Sequence, residues 1–242
     1  MTIAKQTKEN TRKINVLANL TNPISRFYFT RANVIAGFHH VELITQPSNW
    51  EHCFRTESVP GTDLPRRYDL THVKCKWACQ TEGSTTGNLW LQLMMVSLKP
   101  KTAAKVIERT TRLSNLEPDV DYIYAAAGSG AAGQGDCFFM INPHLYTIHY
   151  NSGPRRIGQE TMGAATEVTN IRDSTTRGTA SFKFKRTIAN DEYNEDGFMA
   201  IDSDHLEPRN HLYLMLFSNA QETAEVFLTH NTLFTGRMAT AQ

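Results

Sequence analysis

The sequence has no run of 18 apolar residues and no apolar core segment near its N-terminus. The first absence argues against a transmembrane helix, and the second argues against a secretory signal peptide. Its four cysteines follow no spacing that would indicate a disulfide framework, so they are predicted to be buried thiols of a protein made inside a cell. The formal net charge is only +1, so the chain as a whole lacks the basic balance of a general nucleic-acid binder.

Motifs that carry enzymatic chemistry are also missing. There is no G-x-S-x-G segment, and no Lys-Ser or Lys-Thr pair follows the glycine-rich residues 128–135, as a phosphate-binding loop would require. Residues 192–203 partly resemble a calcium loop, but Ser203 stands where the bidentate glutamate should be. Cys75 and Cys79 lie well apart on a predicted strand and are expected in the core. We therefore predict no catalytic residue and no cofactor.

Charge is unevenly distributed along the chain. Residues 1–33 carry six Lys or Arg side chains against one acid, Glu9, a formal charge of +5, which leaves −4 for the remainder. A basic leading segment before a mildly acidic body favours a polyanionic partner. A solvated N-terminal tail would have the same composition, and charge alone does not separate these two interpretations.

Hydrophobic periodicity indicates a protein built mainly of strands. Residues 69–80 alternate apolar and polar side chains, which is the pattern of a strand with one face in the core. Residues 88–98 and 211–218 are short, nearly continuous apolar runs and predict central strands. Further strands are predicted at residues 34–45, 136–141, 145–150, 180–188 and 224–234. About eight strands with polar connections predict an all-β fold, an eight-stranded antiparallel jelly-roll sandwich with at most one or two short helices.

A single folded domain is predicted. Residues 1–25 are mostly polar and are interpreted as a flexible, mildly basic N-terminal arm, whereas residues 26–242 form the jelly roll. The one plausible helix lies at residues 101–115, where the apolar stripe is weak.

The segment His39-His40-Val41-Glu42 raises the possibility of a metal site. Imidazole and carboxylate groups are common ligands of zinc and other transition metals, and cupin enzymes are also jelly rolls. The two histidines are adjacent, however, so on a strand they point to opposite faces. No metal ligand is therefore predicted.

Four segments, taken in order, carry a resemblance to a known group of proteins. They are DLTHVKCKWA at residues 69–78, the apolar residues 88–99, CFFMINPHLYTIH at residues 137–149, and the final pair of strands at residues 207–236. Their order resembles that of the coat proteins of small circular single-stranded DNA viruses, geminiviruses above all, and of satellite necrosis-type RNA viruses.

The resemblance implies a viral capsid protein that assembles with copies of itself into a small icosahedral shell around the genome. It further implies a non-enzymatic protein with no membrane partner, located in the virion after synthesis in the host cytoplasm, with nuclear assembly as an option. The expected second partner is viral nucleic acid, with single-stranded DNA favoured over RNA. The long loops at residues 46–66, 101–135 and 152–178 are expected to supply contacts between subunits.

Nucleic acid is expected to meet the inner surface of such a shell through Lys and Arg side chains, which reach phosphates. The candidates are Lys5, Lys8, Arg12 and Lys13 on the arm, and Lys183, Lys185 and Arg186 on a predicted strand. Lys183 and Lys185 share a face on that strand, whereas Arg186 falls on the side of the phenylalanines and contributes only if the strand bends. An ordinary solvated face is the alternative interpretation, and Lys74 and Lys76 raise the same question.

One departure from those families affects the genome contact. Their arms are usually dense in Arg and Lys, whereas this arm has four such residues. Four contacts to a single strand would give a salt slope of only about −3, so a shell that forms without nucleic acid also fits. A cupin-type metalloenzyme and a lectin-like binding module are the two other functions kept open.

Overall fold

A computed structural model describes residues 3–21, 24–36, 39–45, 67–81, 89–99, 116–117, 119–126, 137–157, 175–189, 208–218 and 225–239. They form one helix, eleven strands and a short 3-10 turn at Pro208–Asn210. In chain order the elements are α1 (Ile3–Thr21), β1 (Ile24–Ala36), β2 (His39–Leu43), β3 (Arg67–Thr81), β4 (Leu89–Leu98), β5 (Tyr122–Ala126), β6 (Cys137–Ile141), β7 (Tyr146–Asn151), β8 (Arg155–Ile157), β9 (Thr175–Ala189), β10 (Leu212–Ser218) and β11 (Glu225–Ala239).

Two antiparallel sheets make up the sandwich. Sheet 1 has the strand order β1-β11-β3-β9, and sheet 2 has the order β2-β10-β4-β7, with β8 paired to β4. The hydrogen-bonded pairs are nested along the chain: β4 pairs with β7, β3 with β9, β2 with β10, and β1 with β11. A ribbon of nested antiparallel pairs rolled into two sheets is a jelly roll, so the predicted fold class is confirmed.

The main hydrophobic core lies between the two sheets. Alternate residues of β3, namely Val73, Cys75, Trp77 and Cys79, point into it, as the sequence alternation predicted. Cys75 and Cys79 are free thiols there. Burial raises the pKa of Cys75 to about 11 and that of Cys79 to about 12, so both remain protonated at neutral pH.

A second hydrophobic cluster covers the opposite side of sheet 2. The hairpin of β5 and β6 packs Tyr122, Phe139 and Ile141 against Val96 and Phe217 of sheet 2. As a result β10 is buried on both faces along its whole length. This explains why residues 212–218 are continuously apolar instead of alternating.

Several boundaries differ from the sequence prediction. Residues 34–45 were predicted as one strand, but they span the end of β1 and all of β2, which lie in different sheets. Residues 152–178 were predicted as a loop, whereas β8 and the first residues of β9 lie within them. The short strand β5 was not anticipated. The predicted helix at residues 101–115 lies outside the described residues.

Helix α1 occupies most of the predicted N-terminal arm, for which no regular structure was anticipated. It contains many good helix formers, and the Lys13 Nζ–Glu9 Oε1 ion pair at 3.2 Å adds the usual i,i+4 support. Its described side chains, residues 5–14, are exposed. Flexibility of this segment relative to the sandwich stays a prediction. Within the described part of the chain, no helix is both long and apolar enough to cross a lipid bilayer.

Candidate nucleic-acid interface

The outer face of sheet 1 is lined by polar and basic side chains. On β3 the residues that alternate with the core positions point outward, among them the exposed Lys74 and Lys76. The neighbouring strand β9 adds the exposed Arg177, Lys183 and Lys185. Antiparallel pairing places these side chains in adjacent rows: His72 is opposite Lys183, Lys74 is opposite Ser181, and Lys76 is opposite Thr179.

The charge on this face is strongly unbalanced. The described residues of β3, β9 and β11 that point outward include six cations against one carboxylate, Asp69, an excess of five formal positive charges. The cations are Lys74, Lys76, Arg177, Lys183, Lys185 and Arg237. Asp69 lies at one end of the face, where Thr187 Oγ1 donates a hydrogen bond to its Oδ1 at 2.7 Å.

The excess of positive charge on this face does not stabilise the folded state of an isolated subunit. Lys74 and Lys76 are two residues apart on one strand, and thus about 7 Å apart. Like charges at neighbouring positions of a sheet repel each other and reduce stability. A polyanion laid across the face would relieve that repulsion and release its own counterions. The face is therefore a better candidate for binding than for stabilising the fold.

Two of the predicted site residues on β9 lie on this face as expected from strand periodicity. Lys183 and Lys185 are both exposed, and they flank the buried Phe184, which points into the core. The pairing of β9 with β3 shifts register between Leu70 and His72, next to these lysines. Such an irregularity bends the sheet locally.

Arg186, the third predicted residue on β9, lies on the inner side at the margin of the sandwich. It is half-buried, and its guanidinium carbon lies 5.3 Å from the centre of the Phe184 ring. Its Nε donates a hydrogen bond to the Arg209 carbonyl oxygen at 3.1 Å. These contacts hold Arg186 away from the outer face that carries Lys183 and Lys185.

The four predicted residues of the arm lie on α1. Lys5, Lys8 and Arg12 are spaced by three and four residues, so the helix places them on one side. Lys13 is exposed and pairs with Glu9. Of the four arm cations, Lys13 thus forms an ion pair with Glu9, and the other three lie along one side of the helix.

Two cations of the outer face were not predicted from the sequence. Arg177 lay in the segment predicted as a loop, and Arg237 lay beyond the predicted end of the last strand at residue 234. A signal for Arg177 was available, because the alternation of β9 continues back through Thr179 to Arg177 once Gly178 is accepted as a core position.

A second group of polar side chains is buried between the sheets. His230 Nε2 lies 3.1 Å from Glu42 Oε2, and His230 Nδ1 lies 3.2 Å from Thr232 Oγ1. His40 Nε2 approaches the same Glu42 oxygen at 3.9 Å and has no hydrogen-bond partner.

Adjacent His39 points to the other side of sheet 2, where its Nε2 accepts a hydrogen bond of 3.4 Å from the Leu116 amide. The two histidines thus point to opposite faces, as the sequence analysis expected.

The buried group does not have the arrangement that a cupin-type metal centre needs. Among the residues whose positions are described, no three His, Cys, Asp or Glu side chains are placed to hold a metal ion together. Glu42 Oε2 instead serves as the common neighbour of the two imidazoles. The geometry suits a structural polar contact across the core, between β2 and β11.

His149 marks the edge where β7 of sheet 2 meets β9 of sheet 1. Its ring stacks on Phe182 with centroids 5.1 Å apart, and its Nε2 lies 2.8 Å from Ser97 Oγ. Burial lowers the pKa of His149 below its usual value, and the nearby Arg186 lowers it further. The imidazole is therefore neutral at pH 7.

Comparisons with known proteins find similarity at the level of structure only. A structure from Desmodium yellow mottle tymovirus matches with 9% identity over 91% of each chain and a TM-score of 0.35. The 60-mer BFDV capsid protein matches with 11% identity over 92% of this chain and 97% of its own, with a TM-score of 0.34. No family model matches the sequence, and the search of curated proteins finds no match. The fold assignment rests on the nested strand order described above.

Proposed function

We propose that this protein is a non-enzymatic viral coat protein, a jelly-roll subunit that assembles with its own copies into an icosahedral shell around a single-stranded DNA genome. In this proposal α1 and the outer face of sheet 1 contact the nucleic acid, and the protein resides in the virion. The observation that carries the proposal is the contrast between the two outer sides of the sandwich. Among the described residues, one side is a basic sheet face with no further element packed on it, and the other is covered by an apolar hairpin.

The hairpin side supplies a surface suited to contacts between subunits. Ile123 of β5 and Met140 of β6 face each other directly in the register, and they are 53% and 61% exposed. Their neighbours on the opposite side of the hairpin, Tyr122 and Phe139, are anchored in the second hydrophobic cluster. An exposed apolar pair on a well-anchored hairpin can bury against another subunit without rearrangement. Part of this surface, β5, belongs to the segment at residues 101–135 that was expected to form contacts.

In a closed shell, the energies of many modest contacts between subunits add together. Fully burying a side chain the size of Ile or Met contributes about 1.5–3 kcal/mol. Each subunit of a closed assembly makes several such contacts with its neighbours, because heterologous interfaces close into rings about the symmetry axes. A basic face on the other side of the same subunit would then gather a polyanion inside the closed surface.

The first test is the particle size of the purified protein at low and high salt, measured by light scattering and negative-stain microscopy. Uniform particles of viral size are expected, and the ratio of absorbance at 260 and 280 nm reports enclosed nucleic acid. A stable monomer, dimer or trimer under every condition would contradict the proposal.

A pair of variants tests the hairpin surface directly. Ile123→Glu places a charge on the exposed apolar pair, and we expect it to abolish particle formation while the far-UV spectrum stays unchanged. Thr147→Glu, at an exposed polar position of β7, is the matched control and should assemble like the wild type. Normal assembly of Ile123→Glu would show that the hairpin is not a subunit contact.

A further inference from the structure

A shallow depression lies within the basic face of sheet 1. It has a volume of about 510 Å³, and the outward side chains around it are those of Lys76, Ala78, Arg177, Thr179, Thr229 and Asn231. We propose that this depression is a discrete site for one nucleotide of a single-stranded nucleic acid, with the phosphate between Lys76 and Arg177 and the base against Phe227. The inference rests on the proposed function for the identity of the strand, and it names the residues that would hold it.

The depression follows from the strand register. In one row Lys76 lies between Asn231 and Thr179, and in the next row Ala78 lies between Thr229 and Arg177. Ala78 is the smallest of these six side chains, so its position forms the floor and its neighbours form the rim. A larger residue at position 78 would raise the floor of the depression without changing any charge.

The rim provides the groups that a phosphate needs. Lys76 and Arg177 are both exposed and are diagonal neighbours on adjacent strands, a spacing of about 7–8 Å at the backbone. A phosphate between them would be contacted by an ammonium on one side and a guanidinium fork on the other. The hydroxyl groups of Thr179 and Thr229 can donate further hydrogen bonds. None of the residues that line the depression is acidic.

An aromatic side chain next to the depression favours nucleic acid over other polyanions. Phe227 follows the outward alternation of β11 two residues before Thr229, is half-buried, and belongs to neither hydrophobic cluster of the described residues. A base can stack on an aromatic ring. A sulfated polysaccharide has no aromatic face and would use only the charges, so the combination of Phe227 with two cations points to a nucleotide.

The experiment measures binding of a fluorescein-labelled oligo-dT by fluorescence anisotropy across a series of salt concentrations. Lys76→Gln combined with Arg177→Gln removes two phosphate contacts, and each contact accounts for about 0.7 of the slope of log K against log salt. We expect the slope to become shallower by about 1.4. Arg155→Gln, which removes an exposed cation from β8 on sheet 2, is the matched control and should leave the slope unchanged.

Two neutral variants separate a discrete site from general attraction to a basic face. Ala78→Val raises the floor of the depression by two methyl groups and should lower the affinity while leaving the slope unchanged, whereas Ser181→Val places the same side chain two residues beyond Thr179, outside the lining, and should have no effect. Phe227→Leu should weaken oligo-dT binding by about tenfold, because it removes the stacking surface, and should not affect heparin binding. Wild-type affinity in Ala78→Val, or an equal loss of both ligands in Phe227→Leu, would overturn the proposal.

The oligo-dT experiment tests the nucleotide site separately from the shell, because it does not depend on whether the protein forms particles. Particles without the expected oligo-dT effects would reject the nucleotide site and leave the shell proposal standing. Site-dependent oligo-dT binding by a protein that never forms particles would support the site and reject the shell. Heparin binding that is stronger than oligo-dT binding and lost with Lys76 and Arg177 would assign the face to a sulfated polysaccharide and overturn the nucleotide site.

Discussion

His149 makes the stability of this protein depend on pH. Its pKa in the folded state lies below the ordinary value of 6.5, because burial and the nearby Arg186 disfavour the protonated ring. The unfolded chain therefore binds the proton more readily than the folded protein does. The contribution of His149 is fully present above pH 6.5 and is lost as the pH falls through the lower folded-state pKa.

The corresponding variant is His149→Gln, which cannot titrate. We expect the difference in Tm between pH 7.5 and pH 5 to be smaller in His149→Gln than in the wild type, as measured by thermal unfolding monitored by circular dichroism. His39, whose pKa is also lowered by burial, provides a second contribution of the same sign that stays in the variant. An unchanged difference in Tm would show that His149 protonates without cost in the folded state.

At the scale of single residues, the sequence predicted burial better than it predicted partners. The alternation of β3 correctly assigned Cys75 and Cys79 to the core, because burial on one face leaves a period-two signature. The pairing of Glu42 with His230 joins residues 188 positions apart and could not be predicted, because it depends on the packing of β2 against β11. Arg186 is intermediate between these two cases. Periodicity predicted on which side of the strand it lies, but its contact with Phe184 could not be predicted from the sequence.

Strand β9 contains a glycine whose role depends on how β9 pairs with β3. Gly178 is opposite Trp77 in the register, and a Cβ atom on Gly178 would lie 2.6 Å from the Trp77 ring. The Trp77 side chain is only 3% exposed, so it has little room to move. The glycine thus allows the indole to lie flat across β9.

Gly178→Ala should therefore destabilise the protein. Overpacking of this kind typically costs about 1–3 kcal/mol, and each kcal/mol lowers the Tm of a protein of this size by about 2–4 °C. Differential scanning calorimetry would measure the change, with Thr179→Ala at the next, exposed position of β9 as the control. Equal Tm values for the wild type and Gly178→Ala would mean that the Trp77 ring has another place to lie.

Elements were predicted where burial imposes a pattern and missed where it does not. Strands β3, β4 and β10 were found because one or both of their faces lie in a core. Helix α1 was missed because its exposed residues 5–13 are all polar and give no apolar stripe to detect. Strand β5 was missed because only its first three residues, Tyr122–Tyr124, are typical strand formers and its last two are alanines.

The charge asymmetry of the whole molecule predicts an unusual response to salt. The cations on the outer face of sheet 1 repel each other, and salt screens that repulsion at separations near the Debye length of about 10 Å at 0.1 M. We expect the Tm of unassembled protein to rise by about 2–4 °C between low and moderate salt, equivalent to about 1 kcal/mol. The measurement is thermal unfolding under conditions that prevent assembly.

Removing half of the cations on the face should reduce this dependence of the Tm on salt. The corresponding triple variant is Lys74→Gln, Lys76→Gln, Lys183→Gln. Replacing Arg155 and Arg156 of β8 with glutamine serves as the control for lost positive charge elsewhere. If the triple variant and the control respond to salt alike, the face does not destabilise the free subunit.

The jelly-roll class could be predicted at the scale of the whole molecule, but the positions of its charges could not. The number and spacing of strands already indicated two packed sheets. The meeting of β3 and β9 cations on one surface depends on their register, which alternation alone does not determine. The depression over Ala78 likewise depends on the alignment of three strands, so it could not be predicted from the sequence.

The nesting of the strand pairs has a consequence for synthesis of the chain. Strand β11 is the neighbour of both β1 and β3, so the four-stranded sheet 1 cannot be completed until residues 225–239 have been synthesised. Strand β1 must wait for a partner that is synthesised about two hundred positions later. Long-range pairings of this kind form slowly. Until β11 is made, the edges of β1 and β3 that it covers have no partner strand within sheet 1.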